Sequence, residues 1–229
     1  MLALLHTSPV HVPVFDALRD QAHPALELRH FVDEDLLARA RRDGPDAVAG
    51  AVRELIGRAV ADGARAVLCT CSTLGGVAEA VGAGAGVPVL RVDRPMAAAA
   101  VAAGPRVVVV ATVASTLAPT VALIEEEARR AGRPVTVRTR LADGAWVRFE
   151  AGDGDGYVRE VAAAVDAVTA ADADVIVLAQ VSMAAARQAA TTPVPVLAAT
   201  GPGLAAAARA AWGGVAGCGH PGPGGRAAG

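Results

Sequence analysis

The sequence predicts an α/β protein of two similar Rossmann-like lobes, with parallel sheets related by a pseudo-twofold axis and a cleft between them. Three observations lead to this prediction. Short apolar segments alternate with amphipathic segments along most of the 229 residues, which is typical of βαβ units. The alternation restarts near residue 106. The second run then repeats the order of the first, as an internal duplication does.

The first run begins with a short apolar strand and ends with a helix near residue 103. Apolar side chains such as Val52, Ile56 and Val60 recur at helical spacing and predict a helix facing the core. The predicted strands are residues 2–5, 26–31, 64–68 and 87–92, and the predicted helices are residues 10–21, 33–42, 46–61, 74–81 and 95–103.

The second run contains the same kinds of segment in the same order. A Gly-Asp stretch at residues 152–156 is typical of a loop, and residues 143–150 are irregular or briefly helical. The predicted strands are residues 106–111, 134–139, 175–178 and 194–197, and the predicted helices are residues 115–131, 157–170, 183–190 and 204–212.

Shifts of 105 to 110 positions superpose several residues of the two runs. In this register Cys71 faces Val181, and Thr70 faces Gln180. The first run carries a thiol after its central strand and the second carries none. We therefore assign residues 1–95 with 203–212 to a first lobe, residues 96–202 to a second lobe, and residues 213–229 to a flexible Gly/Pro-rich tail.

Composition excludes several classes of function. Hydrophobic residues make up 53% and charged residues 19%, with a net charge of −2, which indicates a buried core and no electrostatic footprint for nucleic acid. The chain has no lysine, which excludes a Schiff base with pyridoxal phosphate, and we expect no cofactor.

No apolar run is long enough to cross a membrane. Without a signal peptide, and with an odd count of three cysteines, the protein is expected in the cytoplasm.

The turn at Cys71, Ser72 and Thr73 is the strongest chemical signal in the sequence. It lies between the apolar strand at 64–68 and the helix that follows. In open α/β sheets, ligands bind where strands end and helices begin. A thiol there lies beside the positive end of the helix dipole, which favours thiolate, and the neighbouring hydroxyl and backbone N–H groups suit a carboxylate.

These residues resemble the aspartate/glutamate racemase superfamily, which includes amino-acid and hydantoin racemases, maleate isomerase and arylmalonate decarboxylase. Cys71-Ser72-Thr73 is similar to the Cys-Asn-Thr motif of that group. Thr7-Ser8 after the first strand, and Thr112 with Ser115-Thr116 after the fifth, resemble its hydroxyl-rich loops. The resemblance covers the chain to about Trp212 and implies cofactor-independent chemistry between two α/β lobes.

In the racemases of this superfamily, two cysteines act on opposite faces of the substrate. The resemblance places the second cysteine after the central strand of the second lobe, where this chain has residues 179–183 without a thiol. This departure argues against a symmetric two-thiol mechanism and leaves chemistry by one cysteine. Arylmalonate decarboxylase keeps one cysteine in the other half, and maleate isomerase uses its first-half cysteine as a nucleophile.

We predict Cys71 as the catalytic base or nucleophile and a set of small polar residues as substrate ligands. His6 is a candidate proton donor on the face that lacks a thiol, or a hydrogen-bonded residue at the lip of the cleft. Gln180 either binds the substrate in place of the missing cysteine or makes structural hydrogen bonds. The predicted substrate-binding residues are Thr7, Ser8, Ser72, Thr73, Thr112, Ser115, Thr116, Gln180 and Ser182.

Other polar residues are assigned to the core, the surface or loops. Cys69 is assigned to the core, and a metal site of Cys69 and Cys71 with Cys218 and His220 is rejected because its spacing fits no zinc pattern. The remaining histidines, His11, His23 and His30, are assigned to the surface or loops, and residues 33–35 to a solvated helix start. The segment with Trp146, Arg148 and Phe149 is left unplaced relative to the cleft.

The sequence therefore predicts a cofactor-independent isomerase or racemase-like enzyme that acts on a small carboxylic or amino acid through Cys71. The alternatives are a single-cysteine decarboxylase of a malonate-type acid and a non-catalytic small-ligand binding protein. We expect a small carboxylate as the partner, neither nucleic acid nor a membrane, and a homo-oligomer.

Overall fold

The computed structural model describes residues 1–213. The first sheet is parallel, with strand order β2-β1-β3-β4. Its strands are β1 (Leu2–His6), β2 (Leu28–Val32), β3 (Ala66–Cys69) and β4 (Val89–Arg91). All residues of β1 and β3 are buried, which matches their continuous apolar runs.

The second sheet repeats this topology, with strand order β6-β5-β7-β8 and parallel pairing throughout. Its strands are β5 (Arg106–Ala111), β6 (Thr136–Leu141), β7 (Val175–Leu178) and β8 (Val196–Leu197). The predicted α/β class and its two similar parallel-sheet lobes are confirmed.

Ten α-helices cover the two sheets within residues 1–213. They are α1 (Val12–Ala22), α2 (Asp35–Asp43), α3 (Ala49–Ala61), α4 (Ser72–Gly82), α5 (Arg94–Ala103), α6 (Leu117–Ala131), α7 (Ala145–Glu150), α8 (Gly154–Asp166), α9 (Ala186–Ala189) and α10 (Thr200–Gly213). Among these described helices, none is long and apolar enough to span a lipid bilayer.

The largest apolar cluster joins the two lobes. It contains Leu4 and Leu68 from the first sheet, Val109 and Val177 from the second, and Leu204 from α10. Each sheet also has a separate cluster on its other face. The carboxyl ends of the central strands are therefore held close together by a shared core, and α10 packs against α1 and β3 of the first lobe.

One predicted loop is partly helical. Residues 152–156 were expected to be a loop, but α8 begins at Gly154. The side chain of Asp153 caps this helix by accepting the backbone N–H of Gly156 at 2.8 Å, and Arg148 pairs with the same carboxylate. An N-cap of this kind lets a helix begin within a glycine-rich stretch. The predicted tail lies outside the described residues except for Gly213, which ends α10, and Cys218 and His220 lie outside them as well.

The strand pairing corrects the internal register by one residue. Leu5 pairs with Cys69 between β1 and β3, and Val110 pairs with Leu178 between β5 and β7. Leu5 and Val110 occupy equivalent positions in their sheets, so their partners Cys69 and Leu178 are also equivalent. Two residues further on, Gln180 is therefore the equivalent of Cys71, whereas the sequence comparison matched Cys71 with Val181. Small loop insertions make the shift drift along the sequence, whereas pairing between strands defines it directly.

Candidate active site

A cavity of about 270 Å³ opens at the carboxyl ends of the central strands, between the two lobes. This is where ligands bind in open α/β sheets, and the volume suits a small molecule. Both lobes contribute to its wall. The lining residues are Thr7, Ser8, His11, Glu34, Leu37, Arg41, Thr70, Cys71, Ser72, Thr73, Thr116, Trp146, Phe149, Gln180, Val181 and Ser182.

Cys71 lies at the N-cap of α4, where the extended backbone turns into the helix. Its side chain is half-buried and lines the cavity. Cys69 is buried among apolar residues of the first lobe, and burial, together with the neighbouring Cys71, raises the pKa of its thiol to about 12. Of the two cysteines within residues 1–213, Cys71 is the one that lines the cavity, and the assignment of Cys69 to the core agrees with its position.

Thr73 lies in the first turn of α4 and carries a buried hydroxyl without a hydrogen-bond partner among the described residues. The residue is 7% exposed and lines the cavity. Buried hydroxyl groups are nearly always satisfied. The Thr73 hydroxyl is thus an unsatisfied donor in the first turn of α4, near the helix end whose N–H groups and dipole favour anions.

Ser72 was predicted to bind substrate, but its hydroxyl is already engaged. It donates a 2.8 Å hydrogen bond to the carbonyl of Ala179 in the second lobe. The Ser72 side chain borders the cavity, but the hydrogen bond that its hydroxyl donates connects the two lobes. Ser72 thus contributes to the geometry of the cleft, and the hydroxyl that remains free in this turn is that of Thr73.

A buried ion pair supports the start of α4. Arg91 and Asp93 are 6% and 0% exposed, and their side chains meet through two hydrogen bonds of 2.6 and 2.9 Å. Arg91 Nη2 also donates to the carbonyl of Ser72 at 3.4 Å. The guanidinium occupies the space that a side chain at Gly75 would need. Sequence reasoning did not identify this pair.

Gln180 makes the structural hydrogen bonds that were one of its two predicted roles. Its Oε1 accepts the backbone N–H of Thr112 at 2.7 Å, the Thr112 hydroxyl at 3.0 Å and the backbone N–H of Val113 at 3.3 Å. Because backbone N–H groups only donate, these bonds assign the orientation of the amide. Its NH₂ group has no protein partner among the described residues, so Gln180 can donate into the cavity that it lines.

The loop after β5 is therefore less available to a ligand than predicted. The backbone N–H and the hydroxyl of Thr112 both donate to Gln180, and Thr112 does not line the cavity. Ser115 has a buried hydroxyl without a partner among the described residues, but it also lies outside the cavity wall. Thr116 does line the cavity, and its hydroxyl donates to the carbonyl of Val113 at 2.8 Å.

Ser182 is held by a buried tyrosine. The hydroxyl of Tyr157 lies 2.8 Å from Ser182 Oγ and 3.4 Å from Thr112 Oγ1. Burial raises the pKa of Tyr157, so its phenol remains protonated at neutral pH. Ser182 borders the cavity at the position that corresponds to Thr73, and Thr7 and Ser8 border it from the first lobe.

His6 does not reach the cavity, contrary to its predicted role as a proton donor. Its side chain is 2% exposed, and both ring nitrogens are engaged, with Thr70 and with His30. Burial, aided by the neighbouring His30 and His11, lowers the pKa of His6 to about 3. The neutral imidazole lies beneath the cavity wall and fits the alternative of a hydrogen-bonded residue.

Several lining residues were missed or assigned elsewhere. His11, assigned to the surface or a loop, lines the cavity, and burial lowers its pKa to about 4. The outer wall comprises Glu34, Leu37 and Arg41 from the start and face of α2, and the unplaced Trp146 and Phe149 from α7. The spacing of residues 34, 37 and 41 puts them on one helix face, but the sequence does not show that this face meets the cleft.

The outer wall is closed by a contact between the lobes. The Arg41 guanidinium lies 5.4 Å from the centre of the Trp146 ring, within the range of a cation–π interaction. Trp146 and Phe149 stack with their ring centres 4.8 Å apart. Within residues 1–213, no group of three or more His, Cys, Asp and Glu side chains is placed to hold a metal ion.

Comparison with known proteins agrees with this architecture. Residues 11–210 match the family model described as Asp/Glu/Hydantoin racemase. No curated protein matches the chain. Solved structures do resemble it, although at sequence identities that bear on the fold alone.

A glutamate racemase isoform from Bacillus anthracis is 15% identical, with a TM-score of 0.70 over 91% of this chain and 80% of that one. The aspartate racemase of Picrophilus torridus is 12% identical, with a TM-score of 0.67 over 92% of this chain and 94% of that one. Arylmalonate decarboxylase is 19% identical, with a TM-score of 0.55 over 92% of each chain.

Proposed function

Because this chain belongs to the Asp/Glu/hydantoin racemase family, we propose that it is a cofactor-independent isomerase-type enzyme that acts on a small carboxylic or amino acid through the thiolate of Cys71. The unsatisfied buried hydroxyl of Thr73, beside that thiol at the start of α4, is the observation that carries the proposal. A substrate carboxylate placed there would satisfy the hydroxyl and the first N–H groups of the helix.

The reaction supported best is proton transfer at the carbon next to the carboxylate. The thiolate removes that proton, and negative charge develops on the carboxylate oxygens. The Thr73 hydroxyl and the α4 N–H groups then donate hydrogen bonds to the charge, as does the NH₂ group of Gln180. Donors already oriented toward developing charge are the main source of stabilisation in such sites.

The position of Gln180 makes the proposed chemistry one-sided. It corresponds to Cys71 in the second lobe, and a neutral amide does not ionise near neutral pH, so it donates hydrogen bonds but does not act as a general acid or base. A proton removed by Cys71 would therefore return to the same face. One-sided proton transfer alone therefore gives only exchange of the α-proton with solvent and retention of configuration. Net isomerisation requires the thiolate to add to a carbon–carbon double bond, rotation about the resulting single bond, and elimination of the thiolate, which restores the double bond in the other configuration.

A second candidate is decarboxylation of a malonate-type acid. The same one-sided arrangement favours it, because loss of CO₂ leaves a carbanion that needs one proton from one face. The stacked Trp146 and Phe149 rings supply an apolar wall for the departing carboxylate, where a charged group is poorly solvated. The fold similarity to arylmalonate decarboxylase is consistent with this candidate.

Proton NMR in D₂O tests both candidates with aspartate, glutamate, hydantoins, maleate and substituted malonates. Deuterium at the α-carbon, a cis–trans change or loss of a carboxylate identifies the reaction. We expect Cys71→Ser to lower the rate at least about 10³-fold, because general base catalysis typically contributes 10²–10⁴. Cys69→Ala is the matched control and should retain most of the activity.

Full activity of Cys71→Ser on a substrate found in this way would overturn the proposal. Tight binding of a carboxylate with no turnover of any compound would favour the non-catalytic alternative. Chiral chromatography of the recovered substrate then tests the one-sided mechanism, since accumulation of the opposite enantiomer contradicts it.

A further inference from the structure

A second cavity, of about 690 Å³, is lined by residues of α1, of α9 and the segment before it, and of the start of α10. It shares no lining residue with the cavity at Cys71. The polar side chains on its wall are those of Gln21, Arg187, Gln188 and Thr200, and the other lining residues are apolar or small. The proposed chemistry gives this second cavity no role.

The second cavity lies at the second-lobe counterpart of the buried Arg91–Asp93 ion pair. Leu90 of β4 and Leu197 of β8 pair with equivalent residues of β3 and β7, so they are equivalent as well. One and three residues further on, Ala198 and Thr200 correspond to the arginine and the aspartate of that pair. Both of these second-lobe residues line the second cavity.

A third position differs in the complementary sense. In the first lobe, the Arg91 side chain packs against Gly75, where a Cβ atom would lie 2.8 Å from Arg91 Nε. The counterpart of Gly75, four residues after Gln180, is Ala184, which also lines the second cavity. The position that a buried charge pair fills in the first lobe thus has a wall of two alanines and one hydroxyl group in the second.

The start of α10 presents hydrogen-bond donors to this cavity. Thr200 is 6% exposed and lines the cavity, and its hydroxyl has no hydrogen-bond partner within residues 1–213. The first N–H groups of a helix have no acceptor within the helix. A Cβ atom at Gly201 would meet nothing within 4 Å, so a ligand can approach the backbone there. Such a helix end favours anions through its N–H groups and its dipole.

Arg187 supplies a positive charge to the same cavity. It lies on α9, is exposed, and lines the cavity wall. Within the described part of the chain its guanidinium forms no ion pair, and the wall of this cavity contains neither aspartate nor glutamate. A guanidinium, a buried hydroxyl and the N–H groups of a helix start are the donors that bind oxyanions.

We propose that the second cavity binds a small organic anion, whose oxyanion group lies at the start of α10 and is neutralised by Arg187. Its apolar body packs against Val14 and Leu18 of α1. The bound oxyanion would take the part that the Asp93 carboxylate takes immediately before α5, and the guanidinium of Arg187 would take that of Arg91. This site does not depend on the chemistry proposed for Cys71.

An NMR titration of the nitrogen-15-labelled full chain with inorganic phosphate, phenyl phosphate and benzoate tests this proposal. We expect saturable shifts of the Thr200 and Gly201 amide signals. Phenyl phosphate should bind more tightly than inorganic phosphate, because its ring buries apolar surface against α1. The comparison of phenyl phosphate with benzoate distinguishes a phosphate ligand from a carboxylate ligand.

Variants of the two donor groups test their contributions. Arg187→Gln should weaken the binding of phenyl phosphate by about tenfold or more, because it removes a charge-assisted hydrogen bond. Thr200→Asp should abolish binding, since its carboxylate repels the anion. Arg209→Gln is the matched control, because Arg209 is an exposed arginine in the second half of α10, and it should retain the affinity. Thermal melting shows whether each variant remains folded.

Thr73→Val distinguishes the second cavity from the cavity at Cys71, where an anion is also expected. Loss of phenyl phosphate binding in Thr73→Val but not in Arg187→Gln would place the anion at the Cys71 turn and overturn the inference. Equal affinities of Arg187→Gln and Arg209→Gln, or unchanged amide signals of Thr200 and Gly201, would overturn it as well.

Discussion

At the scale of single residues, Gln180 places a side-chain amide at the position that corresponds to the thiol of Cys71 in the first lobe. A second thiol at this position would leave the backbone N–H groups of Thr112 and Val113 free for a ligand. The longer amide instead accepts both of them and extends its own donors into the cavity. A neutral hydrogen-bond donor thus lies at the position where the resemblance to the racemases implies a second cysteine.

A pair of variants at Gln180 separates its structural role from its binding role. Gln180→Leu leaves the two N–H groups and the Thr112 hydroxyl unpaired, and we expect it to lower the free energy of unfolding by about 1–3 kcal/mol. Gln180→Glu keeps the acceptor and should retain stability, but its carboxylate repels an anionic substrate and should raise KM. Urea unfolding and steady-state kinetics measure the two effects. Equal stability of Gln180→Leu and the unmodified chain would contradict this account.

At the scale of elements, α4 begins at the Cys71 turn and carries Ser72 and Thr73, and it packs closely against Arg91. A Cβ atom at Gly75 would lie 2.8 Å from Arg91 Nε and 2.9 Å from Arg91 Cβ, whereas one at Gly76 would meet nothing nearer than 3.6 Å. The two glycines are adjacent in the same helix. The contrast therefore arises from tertiary packing and not from helix propensity.

Gly75→Ala should move Arg91 away from Asp93, disturb the Cys71 turn and destabilise the chain by about 1–3 kcal/mol. Gly76→Ala is the control, and it should stabilise the chain by up to about 1 kcal/mol, because alanine is the better helix former. Chemical denaturation of both variants and alkylation of Cys71 provide the measurements. The contact has no structural consequence if both variants prove equally stable.

At the scale of the whole molecule, the cleft is maintained by contacts between elements of the two lobes. Arg94 at the start of α5 contacts Glu79 on α4 and both Glu126 and Glu127 on α6. Hydrogen bonding to Glu79 is the largest contribution that raises the pKa of Arg94. One guanidinium thus connects a helix beside the first sheet with a helix beside the second.

Removing Arg94 should have a pH-dependent effect. Burial raises the pKa of Glu126, but the hydrogen bond and charge of Arg94, together with the charges of Arg130 and Arg91, outweigh it, so the net pKa is lowered. A lowered carboxyl pKa stabilises the folded state above the unfolded pKa of about 4.3, and this stabilisation disappears as pH falls through the folded value. We expect Arg94→Met to cost about 2 kcal/mol at pH 7 and less at pH 3.

Urea unfolding at the two pH values measures this difference. Arg42→Met is the control, because the Arg42–Asp43 pair is exposed and exposed pairs contribute about 0–1 kcal/mol. A cost that does not depend on pH would show that Arg94 acts through packing of its aliphatic stem and not through its charge.

The sequence alone determined the features that depend on neighbouring residues. Hydrophobic periodicity and the order of segments predicted the α/β class and the two parallel-sheet lobes, because each period follows from local backbone geometry. The Cys71–Thr73 turn was recognisable since its three residues are contiguous and lie between a strand and a helix. The absence of a thiol from residues 179–183 was equally plain from the sequence.

Only the tertiary structure decided which side chains that are distant in the sequence come into contact. The strand pairings identified Gln180 as the residue that corresponds to Cys71, and the fold placed the Arg41 guanidinium of α2 over the Trp146 ring of α7. The engagement of Ser72, Thr112 and His6 with protein partners likewise depends on residues at least 24 positions away. Such contacts arise from burial and hydrogen-bond satisfaction in three dimensions, which no local pattern records.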